Sequence, residues 1–173
     1  MKTLFISVCC FIFLITLSTA QEQSLNEFVR DYHHRDGIKH FTIPGFLVRL
    51  AGNIALNDED KLDREALHPL IRNIGGVSIL LATEGHRIGM HDLKRLKSNL
   101  LDEQFEPLVS IKDEDSVVEI FSWEKKNITR RLVFIIHDDE DESMLITVRG
   151  YFTPEDISKL INHYKHKDQL HRL

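Results

Sequence analysis

FEPLVSIKDEDSVVEIFSWEKKNITRRLVFIIHDDEDESMLITVRGYF, residues 105–152, is the stretch that decides the fold. Its β-branched, aromatic and other apolar residues gather into four runs, 105–112, 116–123, 128–137 and 143–152. Runs of this length and composition read as strands. KDED, EKKN and DDEDE separate them, and each polar segment is short enough for a hairpin connection. An antiparallel meander is the economical arrangement.

Beyond the meander, FTPEDISKLINHY starts a helix. Thr153 is placed as the cap, Pro154 as the first helical residue and Asp156 three residues past the cap, with Ile157, Leu160, Ile161 and Tyr164 as the packing face. Before the meander, MHDLKRLKSNLLDEQ carries Leu93, Leu96 and Leu100 on one helical stripe with lysines between them. GGVSILLATEG reads as a strand through Val77, Ile79, Leu80 and Leu81, with Gly75 and Gly76 ending the element before it.

Further upstream, LDREALHPLIRNI has a helical phase that Pro69 is expected to interrupt or kink. GFLVRLAGNIA places Phe46, Leu47, Leu50, Ala51 and Ile54 at helical spacings, and Gly52 permits close packing where a side chain would not fit. IKHFTIP alternates as a short strand that Pro44 ends. QEQSLNEFVRDY opens with a capping-box pattern, Ser24 followed by Glu27, and carries Leu25, Phe28, Val29 and Tyr32 on one side. The full order is helix, strand, two helices, strand, helix, four strands, helix. This segregation predicts an α+β domain, a largely antiparallel sheet with amphipathic helices packed on one face.

The chain begins MKTLFISVCCFIFLITLSTAQ, where a lysine precedes an apolar run and Ser18 and Ala20 stand at the minus-three and minus-one positions. That is a secretory signal pattern, with cleavage expected after Ala20. The run is shorter than the roughly 20 residues that span a bilayer as a helix. No transmembrane segment is therefore expected after cleavage.

Both cysteines, Cys9 and Cys10, belong to this leader, so the mature domain, residues 21–173, would have neither disulfides nor thiolate chemistry. Loss of Lys2 leaves 21 basic against 27 acidic residues. This acidic balance argues against a nucleic-acid partner, which calls for a broad basic surface.

Four groups of residues carry candidate chemistry. The acids Asp138 to Glu142 miss the EF-hand template, with Ser143 at its sixth position and Arg149 at its twelfth. They read either as a looser cation site or as a solvated hairpin. His163, His166, Asp168 and His171 can supply metal ligands or simply a charged surface. Glu84 and His86 form either an acid/base pair at a strand end or a polar loop. Phe121 and Trp123 share a strand parity, as an exposed aromatic platform or as core.

Ser78 and Ser110 have no histidine partner that local sequence can assign, and Asn127, Ile128 and Thr129 form a glycosylation sequon whose use depends on the source. No nucleophile elbow, zinc helix or phosphate loop is present. No catalytic residue and no cofactor is assigned, and metal binding is left open.

SLNEFVRDY, FTIPGFLVRLAG, GGVSILLATEG and above all residues 105–161 resemble the DUF4252 family, over nearly all of residues 24–165. The resemblance implies one α+β domain in an exported protein of Bacteroidetes-type bacteria, in a family without an assigned activity. Some members carry lipoprotein signals, whereas this chain lacks a suitably placed cysteine. The expectation is a periplasmic or secreted, non-enzymatic protein presenting a surface to a protein or glycan partner. The alternative is a cation-dependent hydrolase or metal-responsive module.

Overall fold

The computed structural model describes residues 23–55, 61–83, 86, 88–112, 116–138, 143–159 and 161–162. In chain order these form α1 (Gln23–Tyr32), β1 (Ile38–Pro44), α2 (Gly45–Ala55), α3 (Lys61–Asn73), β2 (Ile74–Ala82), α4 (Met90–Asp102), β3 (Glu106–Lys112), β4 (Ser116–Lys125), β5 (Ile128–Asp138) and β6 (Ser143–Phe152). Residues 154–159 are again helical.

One six-stranded antiparallel sheet runs in the order β1-β2-β6-β5-β4-β3. The four late strands form the expected meander, and β2 adds to the far side of β6. Lys126 and Asn127 both take positive φ, 56° and 60°, between β4 and β5. Two consecutive left-handed residues are the signature of a type I′ hairpin, whose twist matches its flanking strands.

The interior follows from the period-two alternation of β5. Val133 and Ile135 join one cluster, with Leu25 and Phe28 of α1, Leu93, Leu96 and Leu100 of α4, and Leu145 of β6. Leu132 joins another, with Leu70 of α3, Phe152 and Ile157, against which Phe134 is packed. Amphipathic helices do share one face, α1 beside α4, but the other face is covered as well. The cause is local: RLVFII has apolar residues in both parities, so water must be excluded from both sides.

Helix boundaries show where local signals held. Thr153 and Asp156 make a reciprocal capping box: the Thr153 amide donates to Asp156 Oδ2 at 3.0 Å and the Asp156 amide to Thr153 Oγ1 at 3.2 Å. The Ser24–Glu27 box does not form in this way. Glu27 instead accepts from the Gln23 side chain, while the Ser24 amide donates to Glu103 Oε1 at 2.9 Å, a carboxylate delivered from beyond α4. A negative group from a distant element thus meets the positive end of the α1 dipole.

Two further expectations change. Helix α3 continues through Pro69 rather than stopping there. Gly75 and Gly76 lie inside β2, at a pairing irregularity opposite β6, and do not precede the strand.

Gly52 serves close packing, as its position in an apolar helix suggests. A Cβ there would lie 2.5 Å from Ile71 Cγ2. Ile71 is β-branched and stiff, so it has little freedom to withdraw. Gly52→Ala should therefore lower stability by about 1–3 kcal/mol through overpacking, reversing the gain of about 1 kcal/mol usual for this exchange in a helix. Denaturant titration is expected to show most of that loss relieved when Ile71→Ala is combined with it.

Candidate functional site

An open apolar feature lies at the β1 end of the sheet. Helix α2 leaves β1 directly and packs on β1, β2 and α3. Arg49 fixes its orientation by donating from Nη1 to the Ile74 carbonyl at 2.8 Å. With the helix so placed, Val48 turns partly inward, while Phe46, Leu47 and Leu50 remain 62%, 43% and 58% exposed. The apolar stripe legible in GFLVRLAGNIA is therefore largely uncovered.

Between α2, α3 and the sheet lies an open cleft of about 610 Å³, lined by Ile43, Leu47, Val48, Leu50, Ile71 and Val77 among others. Phe41, 49% exposed, occupies the same parity of β1 as Ile43 and extends the apolar surface along the strand. A lining of this chemistry suits apolar side chains of a partner. It offers few hydrogen-bonding groups to a sugar.

Residues proposed from sequence are distributed differently. Asp139 to Glu142, Glu84, His163, His166, Asp168 and His171 lie outside the described residues. Asp138 ends β5 opposite Ser116. Among the described residues no group of three or more metal-ligating side chains comes together. The His86 ring occupies the space where a Gly37 side chain would project, and Gly37 has φ +71°. This loop histidine therefore packs against a tight turn. Phe121 is buried and Trp123 packs partly buried against the α1/α4 cluster, so the pair belongs to the core.

The sequon falls at the β4–β5 hairpin, with Asn127 exposed and Thr129 buried, its hydroxyl donating to Glu124 at 3.2 Å. Ser110 is exposed on the edge strand β3, opposite Glu119. Ser78 does have a histidine neighbour: His40 Nε2 lies 2.9 Å from Ser78 Oγ. The two residues are 38 positions apart in sequence and meet because Thr42 pairs with Ser78, placing His40 two residues away along β1.

Two side chains with perturbed acidity, Tyr32 and Asp92, form a structural clamp between helices. The Tyr32 hydroxyl donates to Asp92 Oδ2 at 2.5 Å and accepts from the Gly89 amide at 3.2 Å. Hydrogen bonding by Tyr32, assisted by nearby Arg95, holds the Asp92 carboxyl below the usual carboxylate range. Burial, reinforced by the bond to Asp92, pushes the Tyr32 phenol up. Both shifts favour tyrosine neutral and aspartate ionised. That arrangement suits a fixed donor and acceptor joining α1 to the start of α4.

The described residues thus form an α+β domain with a two-sided helical cover and an open apolar cleft. The chain belongs to the family Domain of unknown function (DUF4252), whose model matches residues 32–160. No curated protein and no solved structure matches the chain. The matched span starts at the Tyr32 clamp and includes both walls of the cleft.

Tyr32→Phe should cost about 1–2 kcal/mol at neutral pH by removing a hydrogen bond to a carboxylate. Because the folded Asp92 pKa is depressed, its contribution is present above about pH 4 and lost as pH falls through the still lower folded value. Because the folded Tyr32 pKa is raised, its contribution is present below about pH 10 and lost as pH rises through the higher folded value. Unfolding followed across pH should show a shallower acid arm in Tyr32→Phe than in the wild type.

Proposed function

We propose that the protein is exported, loses its leader after Ala20, and acts without catalysis in the periplasm or outside the cell by holding a partner protein on the α2 cleft. One observation carries this reading: Phe46, Leu47, Leu50 and Phe41 are exposed together beside a cleft with an apolar lining. An uncovered apolar helix face costs solubility, and covering it on binding recovers that cost. Exposed phenylalanines at the rim, with leucines beside an existing cleft, provide anchors that a protein partner can bury.

The lining favours a protein over a glycan, since sugar hydroxyls would be desolvated there without partners. Among the described residues no helix is long and apolar enough to cross a membrane. The export step is supported by the residues 1–20 pattern, a lysine followed by an apolar run and small residues before the cleavage point. The alternative, a cation-dependent hydrolase or metal-responsive module, would draw on the acids of 138–142 or the histidines near the C-terminus. Saturable divalent-ion binding by tag-free protein would favour that alternative.

Protein expressed from the full sequence in its source organism should be recovered outside the cytoplasm with Gln21 as its first residue; an intact leader would contradict export. Leu47→Asp combined with Leu50→Asp should lower stability by only about 1–2 kcal/mol and leave a cooperative unfolding transition, since both side chains are largely exposed. Crosslinking in the envelope fraction should identify a partner. Titration with that partner, once purified, should show binding weakened at least 100-fold in the double variant, about 3 kcal/mol. Equal affinity for both proteins would overturn the assignment to the cleft.

A further inference from the structure

The sheet has two edge strands, β1 and β3, and they differ in how they are protected. On β3, Pro107 and a register irregularity between Pro107 and Val109 interrupt the edge, with Glu106 and Lys112 at its ends. Prolines, bulges and charges of this kind keep an edge from recruiting another strand. Strand β1 has no such interruption. All seven of its residues pair with β2 in one register, its proline stands at the very end, and Lys39, His40, Phe41 and Thr42 are exposed.

Backbone direction follows from the ladder. The Thr83 amide donates to the Gly37 carbonyl at 2.8 Å, one step beyond the Ile38–Ala82 pair. In an antiparallel ladder such bonded pairs alternate with unbonded ones. Residues 39, 41 and 43 therefore direct N–H and C=O toward β2, whereas 38, 40 and 42 direct theirs away from it. Two observations agree: the Ile38 amide donates to the Arg35 carbonyl, and Pro44, which has no N–H, falls in the outward set. Among the described residues, no backbone hydrogen bond outside the β1–β2 ladder involves residues 39–43. His40 and Thr42 thus present a regular row of backbone donors and acceptors along the edge.

This row is complementary to itself. When a second copy approaches antiparallel with the two-fold axis at Phe41, His40 of each copy faces Thr42 of the other, and each such pair exchanges two backbone hydrogen bonds. The two Phe41 residues then form a non-hydrogen-bonded pair, with Cα atoms about 4.5 Å apart. Phe41 is 49% exposed in the single chain, and an aromatic pair directly opposite across two strands is stabilising. Lys39 meets Ile43 of the second copy, so no charge opposes a like charge. An axis at His40 would set two imidazoles against each other. An axis at Thr42 would set Pro44 opposite His40, where proline cannot donate.

We propose that the protein forms a two-fold dimer through β1, joining two six-stranded sheets into one continuous antiparallel sheet. The paired strand offers seven residues a side, against roughly 20–30 in a standard stable interface, so the dimer exchanges reversibly with the monomer. This surface is the rim of the sheet and is distinct from the α2 cleft. Leu47 and Leu50 line that cleft together with Ile71 of α3, and α3 packs on β6, farther from the edge. Dimerisation therefore stands or falls independently of the partner protein.

The test is sedimentation equilibrium of the chain Gln21–Leu173, which holds every described element. A monomer–dimer equilibrium is expected. Thr42→Pro removes an outward N–H that β2 does not use, and Phe41→Lys sets two like charges opposite each other. Each should weaken association at least tenfold and leave a cooperative unfolding transition. Leu47→Asp combined with Leu50→Asp should leave association unchanged. Disulfide trapping reads the register independently, because residues 21–173 contain no cysteine. Under mild oxidation Phe41→Cys should give a covalent dimer at least tenfold faster than Lys39→Cys, whose two copies are offset along the strands. A chain that stays monomeric at every concentration, a dimer indifferent to Thr42→Pro and Phe41→Lys, or equal trapping at both positions would overturn the proposal. A dimer lost only in the Leu47 and Leu50 double variant would also overturn it, since the second copy would then sit on the α2 cleft.

Discussion

Strand β5 has no side that tolerates water. Val133 is fully buried in one direction and Leu132, 3% exposed, in the other, so the strand requires an apolar layer against each face. Burying a side chain of this size contributes roughly 1.5–3 kcal/mol relative to leaving it exposed. Exposure of either row would therefore remove a large part of the margin by which ordinary domains are stable. Placement of α1 and α4 over one row, and of α3 and residues 154–159 over the other, follows from that requirement.

Cover is incomplete around the paired residues Thr42–Ser78 and Ile43–Val77 of β1 and β2, and the two faces differ there. Beneath α1 the sheet changes from leucine and valine to threonine, serine and arginine, so a polar pocket replaces the core. Beneath α2 the lining stays apolar, but the helix turns much of its own stripe outward and leaves a cleft. Here the sheet is extended but incompletely covered. At the centre, the requirement to exclude water leaves little surface for a ligand.

Much of the architecture was readable from local pattern. The meander, the α4 stripe of Leu93, Leu96 and Leu100, the close approach at Gly52 and the Thr153–Asp156 cap depend on residues a few positions apart or on a single side chain. RLVFII carries apolar residues in both parities, a signal for cover on both faces that the expectation of helices on one face left unread. What sequence could not show depends on register or tertiary placement. His40 meets Ser78, Arg131 meets Arg149, and Glu103 reaches the Ser24 amide only after the strands and helices have been aligned. The outward turn of α2 was hidden for a related reason: periodicity identifies an apolar stripe without saying whether anything covers it.

The contrast between a covered centre and an open end is tested most directly by native-state amide hydrogen exchange. Backbone amides of Leu132–Ile136 and Leu145–Val148 should exchange only through global unfolding, because their strands are paired on both sides and layered on both faces. Amides of α2 should exchange through local opening, at least about tenfold faster, since that helix leaves much of its apolar stripe in water. Equal protection of α2 and β5, or rapid exchange in β5, would contradict the account.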